Sequence, residues 1–147
     1  MKNVKVAILG MGTVGSGIYR LIEKEKKNIE HKEGISLEVV KVLAKAYSID
    51  IPEELKARDI DEIIADKDIR IVAEVMGGIH PAMEFIVKAL SAGKTVVSAN
   101  KELIAQHWPE LEKTARKAGA GFYFEAREGG GIPILRAIWD SLQAKRI

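Results

Sequence analysis

Short apolar runs alternate with longer amphipathic stretches along the whole chain. The apolar runs are rich in β-branched residues and predict buried strands over 4–9, 35–43, 69–76, 95–98 and 122–126. In the stretches between them, apolar residues recur at helical spacing and predict helices over 13–29, 59–65, 81–92, 102–118 and 132–144. The fourth helix carries Trp108-Pro109, and a proline inside a helix is a candidate break.

This alternation, without a hairpin signal, indicates βαβ units. We therefore expect an α/β fold, a doubly wound parallel sheet of the Rossmann type with helices on both faces. The chain carries no repeat, low-complexity tract or linker that would divide it, so residues 1–147 are treated as one domain.

The first predicted strand ends in the pattern G-x-G-x-x-G, formed by Gly10, Gly12 and Gly15. Gly10 would allow a tight turn, Gly12 would let a diphosphate approach the backbone, and Gly15 would let the helix pack against the strand. The free N–H groups at the start of that helix favour an anion. Because the pattern follows a strand and opens a helix, it predicts dinucleotide binding; a tight turn without a ligand is the alternative.

The end of the second predicted strand indicates which dinucleotide is bound. An NAD site usually has an acid there for the ribose 2′-hydroxyl, whereas this chain has Lys45 between two alanines. Glu38 lies too early and Asp50 several residues too late. A cation suits a 2′-phosphate, so we predict that NADP is preferred over NAD, with Lys45 as the contact. The alternative is an exposed lysine that touches nothing.

Composition narrows the function classes. With 23 basic and 21 acidic residues the net charge is +2, too balanced to indicate a nucleic-acid partner. The absence of cysteine excludes disulfides, thiolate metal sites and a cysteine nucleophile in this chain. No apolar stretch approaches the length of a membrane span or a signal peptide, so we expect a cytoplasmic protein without a membrane partner.

Four segments together resemble homoserine dehydrogenase: "ILGMGTVGSG" (8–17), "VAEVMGGIHPA" (72–82), "VVSANKELIA" (96–105) and "FYFEAREGGGIPILR" (122–136). The resemblance implies NAD(P)-dependent interconversion of L-homoserine and L-aspartate 4-semialdehyde, in the route to threonine and methionine. It also implies a nucleotide-binding domain followed by a catalytic and dimerising domain, and therefore a homodimer in the full-length protein.

The resemblance assigns roles to individual residues. The diphosphate loop and helix start correspond to Gly10, Gly12, Thr13, Val14 and Gly15. The ribose and nicotinamide would lie near Met76, Gly77 and Gly78, near Ser98, Ala99 and Asn100 of the family's "(T/S)ANK" motif, and near Gly130 of its "GGGIP" loop. Lys101 is the candidate catalytic residue, because oxidation of an alcohol requires a proton acceptor; a solvent-facing lysine is the alternative.

Glu125 corresponds to an acid that helps the family hold a monovalent cation, Na⁺ or K⁺, because such hard ions prefer oxygen ligands. Capping of the next helix or pairing with Arg127 is the alternative. The sequence departs from the family at Arg127 and Glu128, where a small polar residue and a valine are usual.

The family continues beyond residue 147 into its catalytic domain, so we expect this chain to bind the cofactor without turning over substrate. A stand-alone, non-catalytic NAD(P)-binding or sensing module is the main alternative. Another dehydrogenase of the aspartate or aspartate-semialdehyde type is a further one, as is a protein that binds S-adenosylmethionine through a similar glycine loop.

Overall fold

Five parallel strands form one sheet in the order β2-β1-β3-β4-β5. The structure, a computed structural model, describes residues 2–125 and 132–144. The strands are β1 (Lys2–Met11), β2 (Ile35–Tyr47), β3 (Ile69–Glu74), β4 (Thr95–Ser98) and β5 (Phe122–Phe124). The helices are α1 (Thr13–Glu33), α2 (Ile60–Ala65), α3 (Ala82–Ser91), α4 (Lys101–Ala118) and α5 (Ile132–Ala144), and a single 3-10 turn covers Glu53–Leu55.

Helices cover both faces of the sheet, and each face has its own hydrophobic core. Val6 and Ile8 of β1 face the core formed with α1 and α5, whereas Ala7 and Leu9 face the core formed with α2, α3 and α4. This alternation follows from the two-residue period of a strand buried on both sides. The predicted fold class is confirmed.

After β2 the chain crosses back over β1, so that β3 is added on the other side of β1. β2 pairs with one side of β1, and β3 pairs with the other side. In open α/β sheets, such a reversal leaves a crevice at the carboxyl ends of the strands, where ligands bind. Here the crevice lies above β1 and β3.

A buried lysine ties the opposite, amino edge of the sheet together. Lys94, just before β4, donates from Nζ to the carbonyl oxygens of Asp66 (2.6 Å) and Ile69 (2.8 Å). Burial lowers the pKa of Lys94, while Asp66 and Asp68 oppose that shift. These hydrogen bonds hold the turn before β3 against the start of β4, beside a small cleft of about 160 Å³ that Lys94 helps to line.

Several predicted boundaries are corrected by the structure. α1 ends at Glu33 instead of 29, because Gly34 takes the left-handed conformation (φ 67°) and its N–H closes the helix on the Glu30 carbonyl. β2 continues to Tyr47 instead of 43, because β1 itself continues through Met11 and pairs with it. β3 ends at Glu74 instead of 76, and β5 at Phe124.

α4 is continuous through Pro109, so the predicted break is wrong. Trp108 packs on Phe122 of β5 with ring centroids 5.3 Å apart. Leu103 and Leu111, on either side of the proline, are both fully buried. Tertiary packing on both sides of Pro109 holds the helix together across it.

Candidate nucleotide-binding site

The carboxyl ends of four strands form one row. Leu9 of β1 is level with Glu74 of β3, Glu74 with Ser98 of β4, and Ser98 with Phe124 of β5. We call this row and the turns that follow it the carboxyl edge. The predicted site residues come directly after these strand ends, so the topology brings most of them to one edge.

The turn over residues 10–15, the glycine loop, needs glycine at two of its three positions for reasons internal to the protein. Gly10 has φ 105°, and a Cβ there would lie 3.1 Å from the Val75 carbonyl oxygen. A Cβ on Gly15 would collide with the carbonyl group of Gly10. A Cβ on Gly12 would meet no protein atom within 4 Å. Space beside Gly12 is therefore open, as close approach of a ligand to the backbone requires.

The start of α1 lies at this opening. Gly12 is its N-cap residue and offers no side-chain hydrogen bond, and the first turn, with Thr13 and Val14, carries no acid. The first N–H groups of a helix lack partners within the helix and carry the positive end of its dipole. The glycine loop therefore fits a diphosphate group.

β2 passes alongside the glycine loop and bulges there. Leu43 is level with Leu9 and Tyr47 with Met11, so β2 contributes two more residues than β1 to this interval. Lys45 lies in the extra stretch, and its side chain is exposed. Bulges of this kind redirect side chains at the rim of a sheet.

Ser48 links the end of β2 to the glycine loop through hydrogen bonds. Its backbone N–H and its Oγ both donate to the Met11 carbonyl oxygen at 2.9 Å, and its Oγ also lies within hydrogen-bond distance of Ser16 of α1. The glycine loop, the first helix and the bulge with Lys45 are thus held in one arrangement.

Two neighbouring clefts open at this place. The glycine-loop cleft has a volume of about 250 Å³ and runs from the glycine loop to Lys45 and Met76. The adjoining cleft, of about 330 Å³, has apolar walls that include Ile60 and Phe85, and both Lys45 and Arg58 line it. Because the two clefts share Lys45 and Met76 as lining residues, they are adjacent, and we call them together the groove.

Cations dominate the charge of the adjoining cleft. Its one lining acid, Asp59, caps α2 by accepting from the Glu62 N–H at 3.0 Å. Arg58 Nε lies 3.6 Å from the Glu62 carboxylate, but the Arg58 side chain is 90% exposed. The guanidinium therefore stays accessible to a ligand in the groove.

A buried cluster of polar groups lies farther along the carboxyl edge. The Glu74 carboxylate, wholly buried, accepts from Ser98 Oγ (2.6 Å), Asn100 Nδ2 (3.3 Å) and the Met76 N–H (3.0 Å). Burial raises the pKa of Glu74, and these hydrogen bonds, with one from the Gly77 N–H, oppose the rise. We call these residues the Glu74 cluster.

Asn100 connects the cluster to the two flanking turns. Its Nδ2 donates to the Gly78 carbonyl oxygen (2.6 Å), in a turn where Gly77 and Gly78 both have positive φ. Its Oδ1 caps α4 by accepting from the Leu103 N–H at 3.2 Å. Lys101, the first residue of α4, is exposed beside this cap.

The structure shows where the "(T/S)ANK" residues lie but leaves their predicted cofactor contacts as predictions. Ser98, Ala99 and Asn100 are buried, and the side chains of Ser98 and Asn100 are hydrogen-bonded inside the protein. Lys101 is the member of this segment whose side chain faces outward.

Glu125 lies at the end of the row, half-buried, with its N–H donating to the Ser98 carbonyl oxygen at 2.9 Å. Over residues 2–125 and 132–144, no three His, Asp or Glu side chains gather as a metal-binding group. Gly130, Arg127 and Glu128 lie outside the described residues. The predicted cation site stays a prediction.

Sequence reasoning missed three residues of the site. Glu74 was included in an apolar strand pattern. An acid inside a strand that is otherwise buried indicates a specific set of partners, because a buried charge must be compensated. Arg58 and Ser48 lie between the second predicted strand and the second predicted helix, and neither was given a predicted role. Their place in the site depends on how β2 and the start of α2 fold back over the carboxyl edge.

In the part of the chain that the structure describes, no helix is both long enough and apolar enough to cross a bilayer.

Comparison with known proteins agrees with this geometry. Residues 10–125 match the family model described as "Homoserine dehydrogenase, NAD binding domain". Homoserine dehydrogenase of Bacillus subtilis is 38% identical over 151 aligned positions, which cover 100% of this chain and 35% of that protein. The chain thus spans about a third of the length of the curated relatives it matches.

Solved structures give the same result. A homoserine dehydrogenase from Thiobacillus denitrificans superposes with a TM-score of 0.79 at 33% identity, covering 98% of this chain and 34% of that one. That of S. aureus gives a TM-score of 0.78 at 36% identity, covering 86% of this chain and 34% of that one.

Proposed function

This chain belongs to the homoserine dehydrogenase family, within that family's NAD-binding domain, and from this premise we propose that it supplies the cofactor site of an enzyme interconverting L-homoserine and L-aspartate 4-semialdehyde. The observation that carries the proposal is the groove at the carboxyl edge, which begins at an open glycine loop and an uncapped helix start. In the proposed full-length enzyme, a cytoplasmic homodimer, the reaction serves the biosynthesis of threonine and methionine.

The glycine loop is proposed to hold the diphosphate of NAD(P). Backbone N–H groups at Thr13 and Val14 would donate to phosphate oxygens beside Gly12, where the protein leaves space. The adenine would lie against the apolar walls of the adjoining cleft. The nicotinamide would then point along the carboxyl edge toward Met76 and Lys101.

We propose that NADP is preferred over NAD, because two cations line the cleft that would receive the adenosine ribose. Lys45 lies on the bulge of β2, and Arg58 lies across the same cleft. The one carboxylate among the residues that line this cleft, on Asp59, uses Oδ1 to cap α2 and is outnumbered by the two cations. A 2′-phosphate would meet two positive charges.

Lys101 is proposed to face the reacting alcohol and to assist proton transfer, while the bound nicotinamide supplies the hydride chemistry. Its exposed side chain, at the capped start of α4, is consistent with that role. Glu125, at the end of the same row, is the proposed ligand of a monovalent cation. Because the family's remaining catalytic groups belong to its second domain, we expect this chain alone to bind cofactor without turnover.

The test is a calorimetric titration of the chain with NADP and with NAD. We expect tighter binding of NADP, and Lys45→Ala should weaken it by about fivefold, since one exposed ion pair contributes about 1 kcal/mol. NAD affinity should change little. Lys113→Ala is the matched control, because Lys113 is an exposed lysine in the fourth turn of α4, away from the groove.

Three results would count against parts of the proposal. Equal affinity of the unmodified chain for the two dinucleotides would refute the preference for NADP. An unchanged NADP affinity in Lys45→Ala would remove Lys45 from the site. Failure of both cofactors to bind would overturn the proposed cofactor site itself.

A further inference from the structure

The Glu74 cluster holds a buried carboxylate that the proposed reaction does not use. Glu74 is 0% exposed, and no cation lies among its hydrogen-bond partners in the described residues. Burial of an unpaired carboxylate is costly unless hydrogen bonds compensate it. A carboxylate that is buried without a cation therefore requires a specific structural or functional explanation.

All the partners of Glu74 are donors. Its Oε1 accepts from Ser98, and its Oε2 accepts from Asn100 Nδ2 and from the Met76 N–H. Only an acceptor with two oxygens satisfies this arrangement. A glutamine amide would have to donate to Ser98 Oγ, which already accepts the Asn100 N–H, and the Ser98 hydroxyl proton would then lose its acceptor.

The same carboxylate joins two turns that are far apart in the chain. Through the Met76 N–H it holds the turn that continues into Gly77 and Gly78. Through Asn100 it holds the residue that both caps α4 and donates to the Gly78 carbonyl oxygen. These two turns flank the part of the carboxyl edge proposed above for the nicotinamide.

We propose that Glu74 is a positioning residue for the nicotinamide half of the cofactor site, and that Ser98 and Asn100 act with it rather than by touching the cofactor through their side chains. Glu74 sets the distance between the 76–78 turn and the start of α4, and thereby the place of Lys101. This inference rests on the proposed function, because it concerns the same cofactor.

The cluster meets the groove at Met76, which lines both clefts and whose N–H binds Glu74, while the cations of the groove lie outside the cluster. Lys45 and Arg58 lie at the adenosine end, and neither hydrogen-bonds with Glu74, Ser98 or Asn100. A change at Glu74 should therefore separate the two halves of the cofactor. The adenosine half can be measured by itself with 2′,5′-ADP, which has the 2′-phosphate but no nicotinamide.

The experiment compares Glu74→Gln with the unmodified chain for binding of NADPH and of 2′,5′-ADP. We expect NADPH affinity to fall about tenfold, because a buried polar group loses its partner, while 2′,5′-ADP affinity stays within about twofold. The fluorescence of the bound reduced nicotinamide should also approach that of free NADPH. A loss of general stability alone would not produce this difference between the ligands.

Lys94→Met supplies the matched control, because Lys94 is also a buried charged residue bonded to β3, but at the amino edge. We expect it to lower the melting temperature while leaving the ratio of the two affinities unchanged. Ser98→Ala provides a milder second variant. It should also weaken NADPH binding. The double variant Glu74→Gln/Ser98→Ala should bind NADPH no more weakly than Glu74→Gln alone, because both changes break one network.

The outcomes are distinct. Wild-type-like NADPH binding by Glu74→Gln, or equal losses for NADPH and 2′,5′-ADP, would overturn the positioning role. So would an unmodified chain that binds NADPH no more tightly than 2′,5′-ADP. If Glu74→Gln does not fold, Ser98→Ala decides by the same affinity ratio. An unmodified chain that binds neither ligand refutes the proposed function instead.

Discussion

Gly12 and Gly15 lie in the same loop, yet the structure gives them different reasons to lack a side chain. At Gly15 the obstacle is the protein, because a Cβ would meet the Gly10 carbonyl group. At Gly12 the protein offers no obstacle within 4 Å. The two positions therefore separate the folding of the loop from the binding of a ligand to it.

Gly15→Ala should destabilise the fold by about 2 kcal/mol, because the helix must move away from the strand to relieve the collision. Gly12→Ala should cost less, about 0.5–1 kcal/mol, because alanine is a poorer N-cap residue than glycine, and yet it should weaken NADPH binding by about tenfold, because its methyl group enters the space proposed for the diphosphate. Thermal unfolding without cofactor and calorimetry with NADPH give the two numbers. If Gly12→Ala binds NADPH normally, the loop does not hold the diphosphate.

Glu74 illustrates which functional residues a sequence can reveal. The glycine loop was predicted because its meaning lies in local spacing, G-x-G-x-x-G after a strand. The role of Glu74 depends on Ser98 and Asn100, which follow it by 24 and 26 positions. Composition can mark it as an acid in a buried strand, but only the register of β3 against β4 shows what it binds.

At the scale of elements, α4 is a helix in which local preference and packing disagree. Pro109 removes a backbone donor from the helix interior, and its ring crowds the preceding turn. The helix continues because Leu103 and Leu111 are anchored in the same core on either side. Burial of these two leucines stabilises the helix and offsets the cost of the proline.

Pro109→Ala should therefore stabilise the protein. The restored hydrogen bond outweighs the greater freedom that alanine gives the unfolded chain, and we expect a net gain of about 1–2 kcal/mol. Gln106→Ala, one turn earlier on the same exposed surface, should change stability by less than about 0.5 kcal/mol. Chemical denaturation of both variants measures this. A loss of stability in Pro109→Ala would mean that the proline favours the packing of Trp108 on Phe122.

The elements themselves were predictable, because β-branched runs and helical spacing are local properties. The residues at which helices and strands end were less predictable. α1 continues to the glycine that stops it through a charged stretch that carries no hydrophobic signal. The last residues of β2 are strand only because Met11 lies beside Tyr47, which is a property of the assembled sheet.

For the whole molecule, the sheet has two ends with different tasks. At the amino edge, Lys94 binds two backbone carbonyl groups beside a smaller cleft of about 160 Å³, whereas the carboxyl edge carries the groove. Cofactor binding should therefore change backbone protection at the carboxyl edge and leave the amino edge unchanged. It should also stabilise the fold by about 2.7 kcal/mol when NADPH is present at about 100 times its dissociation constant.

Hydrogen exchange with and without NADPH tests this division. We expect slower exchange at residues 10–15, 43–47, 76–78 and 98–101, which line or flank the groove. The turns over 66–68 and 92–94, at the amino edge, exchange by local opening and should change little. Protection centred on the amino-edge turns would contradict the assignment of the groove as the cofactor site.

The reversal of the chain between β2 and β3 has a consequence for protein synthesis. The first strand, helix and second strand follow one another directly, so they leave the ribosome together and ahead of β3. The floor of the groove cannot form at that stage, since Gly10 packs on Val75 and Met76, and the Val75 N–H binds the Leu9 carbonyl oxygen. During translation, the nascent chain therefore displays its glycine loop well before it can hold a nucleotide.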